Sequence, residues 1–368
     1  MSRMSLPESH PLASGLTADA PLIAAYTGRT PSRRPVWFMR QAGRSLPEYR
    51  ALRQGTDMLQ SCLTPELASE ITLQPVRRHD VDAGIFFSDI MVPLLLAGLD
   101  VRIESGVGPV FGEPITTAAA VDALPALEEA ALAPITEAVR LTVAELGSTP
   151  LIGFAGAPFT LAAYMVEGKP SRDHLGARRL MHREPETWQR LLAWTAQVSG
   201  AFLRAQVLAG ASAAQLFDSW GGSLSRSDYE RFVAPASSAV LAAVADLGVP
   251  TVHFGVGTGE LLPSMHAAGG DVMGVDYRLP LEEAERRLGG GVPLQGNIDP
   301  ALLGAGWRPL AEATLQVMAG GEAAPGHVIN LGHGVPADTD PEVLTRLVSF
   351  IHSVPVDADP RQVRIDEA

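Results

Sequence analysis

The stretch Leu151–Gly168, LIGFAGAPFTLAAYMVEG, reads as one strand followed by one helix. Leu151–Phe154 is a short apolar run of the kind that fills a strand buried on both faces, and a small turn leads into an apolar, helix-like segment carrying Tyr164. Apolar runs recur at Pro35–Phe38, Ala83–Phe87, Leu151–Phe154, Ala214–Phe217, Thr251–Phe254, Asp271–Val275, Val292–Leu294 and Val328–Leu331, eight in all. Longer segments with helical spacing lie between them, such as Ala133–Leu146, Glu186–Leu208, Ser227–Leu247 and Pro341–His352, the last with Asp340 as N-cap and Pro341 in the first turn. Strands alternating with helices imply parallel pairing. Eight units without a break in composition predict an α/β fold, a single-domain (β/α)8 TIM barrel over residues 21–355, although a doubly wound sheet with extra elements would give a similar pattern. Residues 1–20, rich in Ser, Pro and Ala, and the polar residues 356–368 are expected to be flexible tails.

The 368 residues carry 28 Lys+Arg against 41 Asp+Glu, a net charge of −13, which argues against a broad basic surface for nucleic acid. With 46% hydrophobic and 19% charged residues, the chain is globular and can build a large core. Cys62 is the single cysteine, so neither an internal disulfide nor a multi-thiolate metal cluster can form, and a reducing, cytoplasmic setting is expected. Pro7, Glu8, Ser9 and His10 stand where an export signal would need apolar residues. The longest apolar run, between Asp89 and Asp100, is short and broken by Pro93, so no membrane span is expected.

In a parallel barrel the chemistry gathers where strands end. Five apolar runs are followed by polar groups: Met39–Arg44 (MRQAGR), Asp89, Tyr164, Asp218-Ser219-Trp220, and His333 between two glycines. Arg40 and Arg44 are four apart, and Arg50 and Arg53 follow three apart beyond Pro47. This local cationic patch suits bidentate capture of carboxylate or phosphate, or it is a solvated face paired to Glu48. Asp89, flanked by apolar residues, must be hydrogen-bonded or paired to stay charged; it either caps the next segment or faces a developing cation. Ser219 lacks the setting of a nucleophile elbow, which favours hydrogen bonding over acyl transfer. Tyr164 reads as a core phenol, and the glycines around His333 allow its backbone to approach a ligand closely. His79, Asp80 and Asp82 precede a strand and read as a helix C-terminal feature rather than a metal site.

PVWFMRQAGR (Pro35–Arg44) and GFAGAPFTLAAYMVEG (Gly153–Gly168), with FSDIMVP, LFDSWGG, VHFGVGTG, QGNIDP and NLGHGV in order, make the chain resemble the uroporphyrinogen decarboxylase family over about residues 20 to 355. The resemblance implies a homodimeric barrel that uses no cofactor and no metal. Its reaction would remove the four acetate carboxylates of uroporphyrinogen III, giving coproporphyrinogen III on the route to haem. Carried over residue by residue, Arg40, Arg44 and Arg53 would clamp acetates and propionates with help from Gln41. Asp89 would accept hydrogen bonds from the pyrrole N–H groups, and Tyr164, Ser219 and His333 would contact carboxylates or polarise the reacting pyrrole. The catalytic set is then Asp89, Arg40, Tyr164 and His333, with the proton donor open among the last three. Ser45 and the pair Tyr277-Arg278 depart from the family pattern. Two other readings are a corrinoid-linked methyltransferase of the same fold, which needs cysteine and histidine ligands for zinc where this chain has only Cys62, and a non-catalytic tetrapyrrole-binding protein.

Overall fold

The computed structural model describes residues 6–104 and 106–365. Nine strands occur among them: β1 (Gly84–Ile85), β2 (Val101–Glu104), β3 (Gly108–Phe111), β4 (Leu151–Gly156), β5 (Ala213–Asp218), β6 (Thr251–Gly255), β7 (Val272–Gly274), β8 (Leu294–Gln295) and β9 (His327–Val328). Seven form a curled, wholly parallel sheet in the order β1-β4-β5-β6-β7-β8-β9. Side chains alternate between its faces: Ile152 and Phe154 join one core cluster with Val252 and Phe254, while Leu151 and Ala155 join another with the surrounding helices. Both faces are buried, which is why the strands read as continuous apolar runs rather than as alternating ones.

The expected first strand is the exception. Pro35–Phe38 contributes one parallel bridge, Val36 to Ile329, and the Val36 carbonyl accepts from Asp82 N at 2.8 Å. Pro35 has no N–H to donate, and the chain turns away at Arg40, so no longer ladder forms. Sequence reading also missed the antiparallel hairpin β2–β3, where Arg102 faces Val110.

The helices follow expectation closely at Ala133–Leu146 and Pro341–Ser353, where the Asp340 side chain accepts from Glu342 N at 3.0 Å. The segment expected as one helix from Ser227 to Leu247 divides into Arg226–Phe232 and Ala234–Ala245, because Pro235 cannot donate to the preceding turn. Both expected tails are docked over their described residues. His10 is buried and its Nε2 bonds the Val207 carbonyl at 3.0 Å, while Thr17 Oγ1 lies 2.9 Å from Ser212 Oγ. At the other end, Arg34 donates to the carbonyls of Pro355, Val356 and Ala358, and Pro360 is buried. The polar groups that anchor these segments find backbone and side-chain partners. No helix among the described residues is long and apolar enough to cross a membrane.

Candidate active site

The C-terminal ends of the sheet strands carry loops that interlock through close backbone approaches. A Cβ on Gly332 would overlap the Tyr277 backbone, and one on Gly334 would collide with the Arg40 side chain, so glycines on both sides of His333 let three segments meet. Arg40 holds φ at +59°, a left-handed conformation that costs a non-glycine residue about 1–2 kcal/mol. Such strain is retained where the surroundings fix it, and it turns the arginine out of the strand run into the mouth.

Asp89 lies just past β1. Its Oδ1 accepts from Met91 N at 2.9 Å, and its second oxygen has no partner among the described residues. Enclosure by the apolar wall raises its pKa, while the Met91 amide and the charge of Arg40 pull it back. The half-buried Tyr164 is pushed up to about 12 by burial, with the Asp89 charge adding to the shift, so it remains a protonated donor. His333 is exposed at the mouth; partial desolvation lowers its pKa, reinforced by the positive charges of Arg40 and Arg278 and opposed by Asp276, and the net shift favours the neutral imidazole. Arg40, Asp89, Tyr164 and His333 thus share one electrostatic field.

Of the remaining expected residues, Arg44 is exposed and half-buried Ser219 follows the end of β5; neither side chain has a partner among the described residues. Arg53 is partly committed: Nη1 donates to the Asp57 carbonyl at 2.6 Å and to Ser61 Oγ, and the guanidinium lies 5.8 Å from the Tyr49 ring. Gln41 does not enter the mouth. It is fully buried, with Oε1 accepting from Phe38 N and Nε2 donating to the Ala83 carbonyl, both at 3.0 Å, so it fastens the arginine segment to the sheet from inside the core. Arg40 and Arg44 do not share a helix face either, since the helix starts only at Pro47.

Several contributors were given no role by the sequence reading, although Asp218 and Trp220 stood in one of its strand-end groups. Trp220 lies against Tyr164, tilted by 31° with 3.8 Å between ring centroids, and stacks on buried His174 at 4.1 Å, a ladder that backs the phenol. Asp218 is fully buried; Thr160 Oγ1 donates to its Oδ1 at 2.8 Å, Oδ2 is unpartnered, and burial pushes its pKa up to about 6. Its place beside Ser219 at a strand end was the available signal; for His174 the sequence carried none. Asp276, also buried, accepts from Gly257 N at 2.6 Å and pairs with Arg278 at 2.5 Å. Among the described residues no group of three or more His, Cys, Asp or Glu side chains is arranged to hold a metal.

Arginines, one enclosed carboxylate and a phenol at the strand ends of a curled parallel sheet define an α/β enzyme for a polyanionic substrate. The uroporphyrinogen decarboxylase family model matches residues 17–354, and the chain belongs to that family. A uroporphyrinogen decarboxylase of Arthrobacter sp. (strain FB24) is 69% identical, with 92% of this chain and 98% of the relative covered. One of Leifsonia xyli subsp. xyli is 62% identical over 94% and 98%. Among solved structures, a methyltransferase from Methanosarcina mazei superposes with a TM-score of 0.76 over 92% of this chain and 99% of that one, at 17% identity, a likeness of fold alone.

Proposed function

We propose that this enzyme decarboxylates the four acetate side chains of uroporphyrinogen III to give coproporphyrinogen III. The observation that carries the reading is Asp89: a carboxylate set in an apolar wall, held through one oxygen, with the other open beside Arg40 and Tyr164. Loss of CO2 from an acetate on a pyrrole needs a sink for the electron pair of the breaking C–C bond. Protonation of a ring α-carbon makes an iminium-like ring that accepts the pair. The exocyclic methylene carbon then takes a proton to become methyl, and the α-carbon proton leaves to restore the aromatic pyrrole. The open Asp89 oxygen accepts from pyrrole N–H groups and stabilises the cationic ring, and the apolar wall strengthens that interaction by excluding water.

Arg40, Arg44 and the free edge of Arg53 hold acetate and propionate carboxylates, and Tyr164, Ser219 and neutral His333 give hydrogen bonds around the reacting ring. The electron sink lies in the substrate, so this reading assigns the enzyme no cofactor and no metal. It also places the Pro35–Phe38 run as the eighth member of a closed single-domain barrel, supported by the Val36–Ile329 bridge and the Asp82–Val36 hydrogen bond at either side of it. A homodimer in the cytoplasm completes the proposal, in keeping with a lone, buried Cys62.

The test is anaerobic incubation of the purified protein with uroporphyrinogen III, with products oxidised and separated by carboxylate number. Stepwise loss of four carboxylates is expected without added cofactor and in the presence of chelator. An octacarboxylate recovered unchanged would leave only a tetrapyrrole-binding role.

A further inference from the structure

We propose that Arg278 is an additional carboxylate-binding residue of this site, holding a side-chain carboxylate of the tetrapyrrole on the His333 side of the mouth; the inference rests on the decarboxylase reading above. Arg278 lies four residues beyond the end of β7, where the loops converge. Buried Asp276 anchors it twice, accepting from Arg278 N at 3.1 Å and from Nη1 at 2.5 Å. The same carboxylate takes Gly257 N at 2.6 Å, so three donors already share its charge. The guanidinium lies 4.4 Å from the Tyr277 ring centroid, and the Tyr277 backbone is pressed against Gly332, next to His333.

The ion pair to buried Asp276 and the Tyr277 ring therefore bias the guanidinium toward one orientation. Its side chain remains 50% exposed, and of five N–H donors only one is used within the protein. A positive, pre-oriented fork with free donors, close enough to His333 to depress its basicity, is placed to take a carboxylate bidentately. In a chain of net charge −13, this second cationic edge lets the mouth grip a polyanion from the β7 side as well as from the Arg40–Arg44 segment. A carboxylate held there, away from the bond that breaks, is bound equally in ground and transition states, so its loss acts on KM.

The test is steady-state kinetics on Arg278→Gln and Arg278→Lys at low and high salt, with melting temperatures. Arg140→Gln serves as control, since Arg140 is exposed on the outer helix Ala133–Leu146 and its removal changes net charge equally. Arg278→Gln should raise KM for uroporphyrinogen III about fivefold, and the inhibition constant of coproporphyrinogen III likewise, with kcat within about twofold. Arg278→Lys should raise KM by about twofold, because the charge remains but the fork is lost, and both differences should shrink in high salt. Arg140→Gln should leave KM unchanged. A lowered melting temperature with wild-type KM in both Arg278 variants would make Arg278 only the structural partner of Asp276 and overturn the proposal. An equal KM rise in Arg140→Gln, or a fall in kcat alone, would overturn it too. Absence of turnover by the wild-type protein would instead remove the decarboxylase reading itself.

Discussion

Asp82 and Asp89 stand at opposite ends of the same short strand, and their surroundings differ in kind. Asp82, before β1, is nearly inaccessible and fully engaged: Oδ1 accepts from Arg33 Nε at 2.7 Å, and Oδ2 accepts from Val36 N at 2.8 Å and lies 2.9 Å from His352 Nε2. Asp89, after β1, has one backbone donor and one free oxygen. The protein has satisfied the first carboxylate with its own groups and left the second for something else. A buried or half-buried polar group without an internal partner is expensive, so it persists where a ligand completes it.

The largest expected effect is at the satisfied end. Asp82→Ala leaves Arg33, His352 and the Val36 amide without their acceptor, and should lower the unfolding free energy by about 4 kcal/mol, read by denaturant titration. Turnover per folded molecule should stay near wild type. A large loss of kcat in the folded fraction would dissolve the distinction between the two ends of β1.

Asp89→Asn should do the reverse. The shape is kept, but a neutral amide faces the cationic ring, and the expected loss is about 3 kcal/mol of transition-state stabilisation, roughly 150-fold in kcat, with the melting temperature unchanged or higher. Because burial raises the Asp89 pKa, wild-type kcat/KM should fall on the acid side at a pH above the ordinary carboxylate range, as the carboxylate gains its proton. An Asn variant keeping more than about a tenth of wild-type kcat would refute the electrostatic role.

Sequence reading located the Asp89 end of this comparison and misjudged parts of its setting for physical reasons. Strand-end position singled out Arg40, Asp89, Tyr164, Ser219 and His333, because a parallel sheet presents whatever follows its apolar runs at one edge. Gln41 stood in the same motif, yet its amide bonds Phe38 N and the Ala83 carbonyl, a long-range match that residue type does not encode. The Trp220–His174 stack joins residues 46 positions apart in the chain and has no local pattern at all. The curled parallel sheet was legible from repetition of apolar runs. The single bridge at Val36 was not, since a run followed by a left-handed turn at Arg40 looks like any other strand.

A smaller effect sharpens the contrast with a third carboxylate. Asp218 is as buried as Asp82 but incompletely satisfied, and its pKa is raised to about 6. The native state favours the protonated acid, so the stabilisation is fully present below the ordinary carboxylate pKa and is lost as pH rises through about 6. Asp218→Asn cannot ionise and can still accept from Thr160. It should be more stable than wild type by on the order of 2 kcal/mol at pH 8 and equal to it near pH 4, as measured by calorimetric melting across that range. Equal melting temperatures at both ends would mean that Oδ2 finds a partner and that Asp218 belongs with Asp82.

The smallest effect concerns how finely the open end of the strand is graded. Arg40 and Arg44 are both exposed, but Arg40 packs against Gly334 in a strained backbone conformation and its charge acts on Asp89. A guanidinium that shares its field with Asp89 acts on the reacting ring, so Arg40→Lys should lower kcat as well as raise KM. A guanidinium away from the reacting ring contributes what a solvated ion pair contributes, about 1 kcal/mol or less, so Arg44→Lys should raise KM by about fivefold at most with kcat unchanged. Salt should shrink the KM effects of both substitutions, because solvent reaches both charges, while the kcat loss at Arg40, read at saturating substrate, should remain. Kinetics of both variants at low and high ionic strength decide the matter. An Arg44 variant that loses kcat, or an Arg40 variant that keeps wild-type kcat, would mean that the open carboxylate of Asp89 is not where the substrate's reacting ring rests.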